Sequence, residues 1–312
     1  MEPVRRAVID VGTKSVELLV ADVAGREVLP VHEESKQTRL GKNFYDTHRL
    51  QPEAIAKTAE AVWEFAEIAR DREAASTRVI ATSAARDAVN QDDLLSTIKR
   101  ASGLEVEIIS GEQEAEWAFK GVTTGSDLAR TPLLLLDVGG GSTEFIVGHG
   151  EQKHFAESFQ VGTVRLMEKI PHSDPPTSGE LAKCRDWLKE VLRRDVRPKL
   201  DSVLQQEKVA GAVQLAGTGG TATLLARMEL KLDRYDREKI EAVNLSLKQV
   251  QAHCRNLWKL PLAKRKEIEG LPKNRADVIL TGMLIYETIM EEFSFPTLRV
   301  STRGLRFAAL MD

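Results

Sequence analysis

Small residues that could hold a phosphate, and acidic residues that could hold a metal ion, are concentrated in DVGGGSTEFIV, residues 137 to 147. Three consecutive glycines stand there between two apolar runs. Because glycine is costly in ordered backbone, their presence indicates that another group approaches the chain closely. The flanking strands predict a hairpin whose successive backbone N–H groups suit an anion. A Walker loop is excluded, because it requires the pattern G-x-x-x-x-G-K-[ST] leading into a helix.

Asp137 and Glu144 flank these glycines, and their negative charges would repel a bound phosphate. A Mg²⁺ ion held by one or two carboxylates and by phosphate oxygens would explain both features together. Mn²⁺ is the alternative metal. The competing interpretation is an ordinary hairpin turn whose acids face solvent.

The same pattern occurs again near the start of the chain, in DVGTKSVELLV at residues 10 to 20. In an ungapped alignment Asp10 matches Asp137, and Glu17 matches Glu144 in the same way. Two copies so far apart indicate a duplicated domain and not a short-period repeat. The repetition weakens the ordinary-turn interpretation, and it adds Asp10 to the candidate metal ligands.

A third glycine-rich segment, AGTGGTA at residues 216 to 222, runs from a predicted strand into a helix. It matches a variant of the dinucleotide-binding fingerprint, but no later strand ends in a ribose-binding acid. A phosphate at the helix N-terminus would explain these glycines. A tightly packed strand-to-helix turn explains them equally well.

The composition is that of an ordinary globular protein. The chain has 312 residues, enough for two domains, with 42% hydrophobic residues and a net charge of −3. That charge gives no indication of a nucleic-acid partner, so any polyanion site must come from local clustering. The two cysteines predict neither a disulfide framework nor a zinc site. With no apolar run of membrane-spanning length and no room for a signal peptide, we expect a cytoplasmic protein without a membrane partner.

Hydrophobic periodicity predicts the same order of elements twice. The first copy begins with three strands, which are followed by a helix over 51–73 and a fourth strand. A helix ending at Gly103, a fifth strand and a short helix capped by Ser110 complete it. From residue 133 three strands follow again, then helices and strands in alternation. This order predicts two α/β domains with mixed sheets, divided within the polar stretch 123–132. The face that we expect the 51–73 helix to bury contains Ala56, Ala59, Val62, Trp63 and Ala66.

Together these segments resemble the exopolyphosphatase and guanosine pentaphosphate phosphohydrolase family over nearly the whole chain. The segments ATSAARDAVN and VEIISGEQEAEWAFKGV carry the resemblance most specifically, supported by LLLDVGGGSTEFIVG, FQVGTVRLMEK, AGTGGTATLLA and VSTRGLR. The resemblance implies two ribonuclease-H-like, actin-like α/β domains with mixed five-stranded sheets and an interdomain cleft. The expected domains are 1–127, completed by the C-terminal helix 304–312, and 128–303.

The same resemblance implies a short, homodimeric exopolyphosphatase that hydrolyses the terminal phosphate of inorganic polyphosphate with Mg²⁺. Three alternatives remain open. The first is a phosphohydrolase whose substrate is guanosine pentaphosphate. The second is an actin-like small-molecule kinase. The third is a regulator that binds polyphosphate or a nucleotide with little turnover.

By position in the family motifs, Glu114 would act as general base and Arg86 would hold the terminal phosphate. Spacing alone does not separate Glu114 from its neighbours Glu112 and Glu116, since all three suit a helix N-terminus. Most basic runs are expected to be solvated, and Arg306 is our candidate for polyphosphate binding because it follows Gly304 at the start of the last helix. The full set of candidate phosphate-binding residues is Gly12, Thr13, Lys14, Ser15, Gly139, Gly140, Gly141, Ser142, Thr143, Gly217, Thr218, Gly219 and Arg306.

Four positions depart from the family pattern. The first glycine turn usually reads DxGSNS with a later arginine or histidine, whereas this chain has Lys14 and Glu17. Gln113 replaces the first of two usual glutamates, and Glu116 replaces an arginine. These departures concern substrate preference more than the type of reaction.

Overall fold

The computed structural model describes residues 2–124, 127–210 and 212–312. By internal contacts the chain divides into two compact units. The first unit is Met1–Ser126 together with Arg303–Asp312, and the second is Asp127–Thr302. The polar stretch chosen as the boundary includes Gly125 and Ser126, which lie outside the described residues. Within the described ranges, no helix has both the length and the apolar character needed to cross a membrane.

The first unit contains a five-stranded mixed sheet in the order β3-β2-β1-β4-β5. Strands β1, β2 and β3 are antiparallel, whereas β4 and β5 run parallel to β1. The strands are β1 (Val4–Val11), β2 (Ser15–Ala24), β3 (Glu27–Gln37), β4 (Ser76–Ala81) and β5 (Val106–Ile108). The helices are α1 (Pro52–Asp71), α2 (Ser83–Arg86), α3 (Gln91–Ser102), α4 (Gly111–Val122) and the C-terminal α13 (Leu305–Ala309).

The second unit contains a six-stranded sheet in the order β10-β11-β9-β6-β7-β8. Its strands are β6 (Leu133–Val138), β7 (Thr143–His149), β8 (Gln152–Phe159), β9 (Gln214–Thr218), β10 (Asn244–Ser246) and β11 (Thr297–Val300). Its helices are α5 (Thr163–Lys169), α6 (Ser178–Val191), α7 (Arg197–Ala210), α8 (Gly219–Leu230), α9 (Arg237–Glu241), α10 (Leu247–Leu257), α11 (Leu262–Arg265) and α12 (Ile279–Glu292). Short 3₁₀ helices cover Asp127–Arg130 and Lys273–Arg275, and a π-helical turn at Leu192–Val196 joins α6 to α7.

The two sheets repeat one strand order, which confirms the prediction of two α/β units with mixed sheets. Strands β8-β7-β6-β9-β11 correspond in order to β3-β2-β1-β4-β5, with the same parallel and antiparallel pairings. The prediction of five strands is wrong for the second sheet, because β10 pairs with β11 as a sixth strand. Strand β10 has three residues and only Leu245 in it is buried, so it shows no readable alternation.

The predicted helices form largely where expected, with one error in the orientation of α1. Pro52 occupies the first turn of α1, where its missing N–H is tolerated. Trp63 is 46% exposed and Ala56 also faces solvent, although the apolar spacing predicts both on the buried face. The buried side is instead formed by residues such as Ile55, Val62 and Phe65.

Helix boundaries follow local capping chemistry. Gly103 ends α3 in the left-handed conformation at φ 76°. The Ser110 side chain accepts a hydrogen bond from the Gln113 N–H at the start of α4, as predicted. In the second unit, Thr177 and Glu180 form a complete capping box on α6.

Candidate functional site

The two aligned DVG segments form the same turn, one in each unit. The Gly12 N–H donates to the Ser15 carbonyl at 2.9 Å, and the Gly139 N–H donates to the Ser142 carbonyl at 3.0 Å. In each hairpin the two acids are direct cross-strand partners, so their side chains lie on one face. The duplication read from the letters is therefore a duplication of backbone geometry.

In the second unit, the glycine loop (residues 139–142) keeps its backbone donors available. Among the described residues, none accepts a hydrogen bond from the N–H groups of Gly140, Gly141 or Ser142. Three successive N–H groups of this kind form an anion-binding concavity. The Ser142 side chain is buried beside them. Thr143 contributes differently from our expectation, because its buried hydroxyl donates to the Val161 carbonyl and so supports the loop.

The start of α5 holds the glycine loop from one side. The N–H groups of Thr163 and Val164 donate to the carbonyls of Gly139 and Gly140 at 3.0 Å and 2.9 Å. Such close packing requires a residue without a side chain before the helix. A Cβ atom on Gly162 would lie 2.5 Å from the Gly140 oxygen and 2.5 Å from the Gly141 carbonyl carbon.

Replacing Gly162 by alanine should therefore damage the loop and the fold together. The added methyl group would overlap backbone atoms, which have no rotamer to change, and such overpacking typically costs about 1–3 kcal/mol. We expect a lower thermal midpoint and a weakened affinity for phosphate, measured by calorimetry. Gly179→Ala is the matched control, since its nearest neighbour would be 4.0 Å away. Equal midpoints for the two variants would contradict the packing argument.

Asp137 and Glu144 flank the glycine loop and differ in how deeply their side chains are buried. Glu144 is 1% exposed and accepts a hydrogen bond from the Ser158 hydroxyl at 2.7 Å, so its orientation is fixed. Asp137 is partly exposed. No group of three or more acidic, histidine or cysteine side chains in the described ranges has the geometry of a complete metal site. The pair fits Mg²⁺, which commonly takes one or two protein carboxylates and fills its other positions with water and substrate oxygens.

Two glycines of the AGTGGTA segment are required by close neighbours, a tyrosine side chain at one and a carboxylate at the other. Gly217 lies against Tyr286, whose hydroxyl would be 2.7 Å from an added Cβ atom, so the packing explanation accounts for this glycine. Gly219 opens α8 at φ +77°, and a Cβ atom there would lie 2.5 Å from Asp137 Oδ1. Thr218 is buried as the residue before α8, and its side chain forms no cap. The N-terminus of α8 thus lies beside the Asp137 carboxylate.

In the first unit, the ends of three parallel strands bring Arg86 and Glu114 together. The Thr82 N–H donates to the Val11 carbonyl and the Ile109 N–H donates to the Ala81 carbonyl, which joins the carboxyl ends of β1, β4 and β5. Arg86 ends α2, directly after β4, and donates to the Ile109 carbonyl at 2.9 Å. It also donates to Glu114 Oε2 at 3.0 Å.

Glu114 differs from the neighbouring acids on α4. Glu114 is 7% exposed, whereas Glu112 is exposed and Glu116 forms an ion pair with Lys120 at 2.8 Å. Burial raises the pKa of Glu114, and the Arg86 guanidinium opposes this shift without cancelling it. A buried carboxyl with a raised pKa and a cationic partner has the environment expected of a general acid or base.

The first glycine turn is braced by the loop that follows β3. The N–H groups of Arg39 and Gly41 donate to the carbonyls of Lys14 and Thr13 at 2.8 Å and 2.7 Å. Thr13, Lys14 and Ser15 are all buried. The Ser15 hydroxyl donates to Glu17 at 3.2 Å. Asp10, at the end of β1, pairs with Glu17 across the hairpin.

Arg306 has contacts within the first unit that the sequence did not reveal. Its guanidinium lies 3.2 Å from Glu17 and 3.9 Å from Glu33, and it donates to the Leu18 carbonyl at 3.2 Å. These contacts tie α13 to the antiparallel strands. They also offset the negative charge of Glu17, one of the four residues that depart from the family pattern.

We therefore expect Arg306→Ala to act mainly on stability. The variant would remove the ion pair with Glu17 and the hydrogen bond to the Leu18 carbonyl, and losing a hydrogen bond to a charged group costs roughly 1–3 kcal/mol. The thermal midpoint should fall, while the KM for long polyphosphate changes less than about twofold. A KM that rises strongly at low salt and recovers at high salt would instead assign Arg306 to polyanion binding.

Two arginines near the glycine loop and the start of α8 are absent from the predicted site residues. Arg165 donates through Nε to the Gly141 carbonyl at 2.7 Å. Arg275 Nη1 would lie 4.0 Å from a Cβ atom on Gly220 in the first turn of α8. Arg165 and Gly162 belong to FQVGTVRLMEK, a segment that supports the family resemblance. The sequence therefore marked this segment as characteristic of the family but did not indicate what its residues do.

The sequence and the fold of this chain are similar to those of known proteins. The model of the Ppx/GppA phosphatase family matches residues 7–312. Exopolyphosphatase 2 of Mycobacterium tuberculosis is 35% identical over 92% of this chain and 90% of its own length. The PPX-GPPA enzyme of Aquifex aeolicus is 31% identical, with a TM-score of 0.78 and coverage of 99% of both chains. An exopolyphosphatase structure from Cytophaga hutchinsonii has a TM-score of 0.87 at 27% identity, covering 98% of this chain and 96% of that one.

The family match extends across both units and includes the two repeated turns, the Arg86–Glu114 pair and the α8 segment. The Mycobacterium tuberculosis and Aquifex aeolicus relatives cover more than 90% of the chain at identities above 30%. The chain therefore belongs to the Ppx/GppA phosphatase family and is a hydrolase that acts on phosphoanhydride bonds.

Proposed function

We propose that this protein is a Mg²⁺-dependent exopolyphosphatase, which removes the terminal phosphate of inorganic polyphosphate. The observation that carries the proposal is the glycine loop, whose three N–H groups have no acceptor in the described part of the chain and suit the oxygens of a phosphoryl group. The similarity to Exopolyphosphatase 2 of Mycobacterium tuberculosis supports polyphosphate as the substrate class.

In this proposal the second unit binds the phosphoryl group. Gly140, Gly141 and Ser142 donate their N–H groups to its oxygens, as preorganised donors do at sites of developing negative charge. Asp137 and Glu144 would hold Mg²⁺, which when bound neutralises phosphate charge. Glu144 keeps its orientation through Ser158, and Asp137 keeps its position beside Gly219.

Glu114 and Arg86 have the roles of general base and phosphate ligand in this proposal. Glu114 accepts a proton from a water molecule whose oxygen attacks the terminal phosphorus atom. The bond from that phosphorus to the bridging oxygen breaks, and the products are orthophosphate and a chain one phosphate shorter. Arg86 binds the terminal phosphate and orients Glu114 in the free enzyme through their 3.0 Å contact. Positioning and electrostatic stabilisation account for most of the catalysis in reactions of this kind.

A panel of substrates tests this function directly. We expect orthophosphate release from short or long polyphosphate to exceed release from ATP and guanosine pentaphosphate in the presence of Mg²⁺. Preferential release from guanosine pentaphosphate would replace polyphosphate by that nucleotide as the substrate. Transfer of phosphate from ATP to an acceptor would indicate a kinase, and tight polyphosphate binding without release would indicate a regulator.

A further inference from the structure

The segment FQVGTVRLMEK contains one charged side chain directed at the glycine loop, and the proposed function gives it no role. Arg165 lies on the first turn of α5 and is partly exposed. Its Nε donates to the Gly141 carbonyl at 2.7 Å, and its Nη1 lies 3.4 Å from Gln160 Oε1. Arg165 thus contacts the loop through a backbone oxygen.

The bonds from this segment fall on three successive carbonyls of the loop. The Thr163 N–H donates to Gly139, and the N–H groups of Val164 and Arg165 both donate to Gly140 at 2.9 Å and 3.1 Å. The carbonyl of Gly141 accepts from the side chain of Arg165. The backbone of α5 therefore holds the first two carbonyls, and a charged side chain holds the third.

Each carbonyl belongs to the same planar peptide as the N–H group of the following residue, and the two point in opposite directions. Fixing the carbonyl of Gly139 therefore aims the N–H of Gly140. Fixing the carbonyl of Gly140 aims the N–H of Gly141 in the same way. Arg165, which holds the carbonyl of Gly141, aims the N–H of Ser142.

We propose that Arg165 is a positioning residue that aims the Ser142 N–H at the bound phosphate and strengthens it as a donor. A charge-assisted hydrogen bond on the carbonyl is roughly twice as strong as a neutral one, and it polarises the peptide that carries the donor. The inference rests on the proposed function, in that the glycine loop is taken to bind phosphate. It adds a cation that acts through the backbone without touching the substrate.

The test uses Arg165→Met, which keeps most of the side-chain length, and Arg165→Lys, which keeps the charge. The probe is inorganic tripolyphosphate, with its Kd measured by calorimetry and kcat and KM measured in parallel. Losing one hydrogen bond to a charged group corresponds to a factor of about 10 to 100. Because Arg165 acts on the phosphate through the Ser142 peptide and not directly, we expect Arg165→Met to raise the Kd about tenfold, the lower end of that range. Arg165→Lys should fall between Arg165→Met and the parent.

Arg227→Met is the matched control. Arg227 is also an arginine of the second unit that donates to backbone carbonyls, those of Leu232 and Asp233 at 3.3 Å and 3.1 Å. We expect its Kd for tripolyphosphate to match the parent, whatever its effect on the thermal midpoint. An unchanged Kd in Arg165→Met, or an equal rise in Arg227→Met, would overturn the positioning role.

Backbone amide NMR separates this role from a general loosening of the loop. In the parent, tripolyphosphate should shift the amide signals of Gly140, Gly141 and Ser142. In Arg165→Met the shift at Ser142 should shrink most, because α5 still holds the first two peptides. Equal losses at all three amides would overturn the assignment to the third peptide. If the parent shows no amide shift and no tripolyphosphate binding, the proposed function is wrong. If the parent binds tripolyphosphate and Arg165→Met binds it equally well, only the positioning role of Arg165 is wrong.

Discussion

Replacing Glu114 by glutamine should leave a folded protein that hydrolyses polyphosphate at least about a hundredfold more slowly, since loss of a general base typically costs 10²–10⁴ in rate. Glutamine keeps the size of the side chain and can accept the hydrogen bond from Arg86. It cannot accept a proton from water. The measurement is kcat for orthophosphate release, together with the Kd for polyphosphate, which should change little.

The neighbouring acids of α4 provide matched controls for this result. Glu112 is exposed, and Glu116 is paired with Lys120, so Glu112→Gln and Glu116→Gln should behave nearly like the parent. Glu112 lies in the first turn of α4 and contributes roughly 0.3–1 kcal/mol to the helix through the dipole. Full activity in Glu114→Gln, or equal losses in all three variants, would make Glu114 an ordinary helix acid and place the base elsewhere.

The raised pKa of Glu114 has consequences for both rate and stability. Because the base must be ionised, the rate should rise with pH through an apparent pKa above that of an ordinary glutamate. The free energy of unfolding should change in the opposite direction and fall as pH rises. A raised folded-state pKa means that the contribution of Glu114 to stability is fully present below the unfolded pKa and is lost as pH rises through the folded one.

Thermal unfolding measured between the unfolded-state and folded-state pKa values of Glu114 tests the stability effect without any activity measurement. Glutamine does not titrate, so the midpoint of Glu114→Gln relative to the parent should increase as pH rises through that window. A difference that stays constant with pH would mean that burial does not perturb Glu114 in the folded protein. The comparison also tests whether the site is maintained at a cost to stability, as expected for perturbed groups at functional sites.

Local sequence pattern was enough to predict the glycine loop and most of the fold. The strands beside Gly139–Gly141 are long apolar runs, and the matching turn at Gly12 repeats the same letters, so periodicity and repetition both identify them. Helix ends at Gly103 and Ser110 follow from capping chemistry that acts within a few residues. Strand β10 was missed because its pairing with β11 depends on residues far away in the chain.

Tertiary contacts decided the rest of the site. Arg86 and Glu114 are 28 residues apart, and spacing alone did not distinguish Glu114 from its neighbours. Arg306 and Leu18 are 288 residues apart, so the contacts of α13 with the antiparallel strands have no local signature. The need for glycine at position 162 likewise arises from a carbonyl in another element. In each case the missing information was which distant group a side chain meets.

Removing divalent metal should abolish hydrolysis, and Mg²⁺ should restore it. Asp137 and Glu144 are cross-strand partners beside the glycine loop, so a phosphoryl group bound there lies close to two carboxylates. At a distance of 4 Å two unit charges interact by about 4 kcal/mol when the effective dielectric constant is 20. A repulsion of this size would oppose binding at the loop unless a cation intervened. The measurement is orthophosphate release in excess chelator, followed by titration with Mg²⁺ and Mn²⁺.

Asp137→Asn separates a metal role from simple repulsion. If the carboxylate binds Mg²⁺, the variant should need much more Mg²⁺ and should lose at least about a hundredfold in rate, since a bound metal supplies several kcal/mol of charge stabilisation. If the carboxylate only repels phosphate, the variant should bind tripolyphosphate more tightly in chelator than the parent does. Full activity of the parent in excess chelator would remove the metal from the proposed mechanism and leave Asp137 as a neighbour of the α8 N-terminus, where its charge meets a favourable helix dipole.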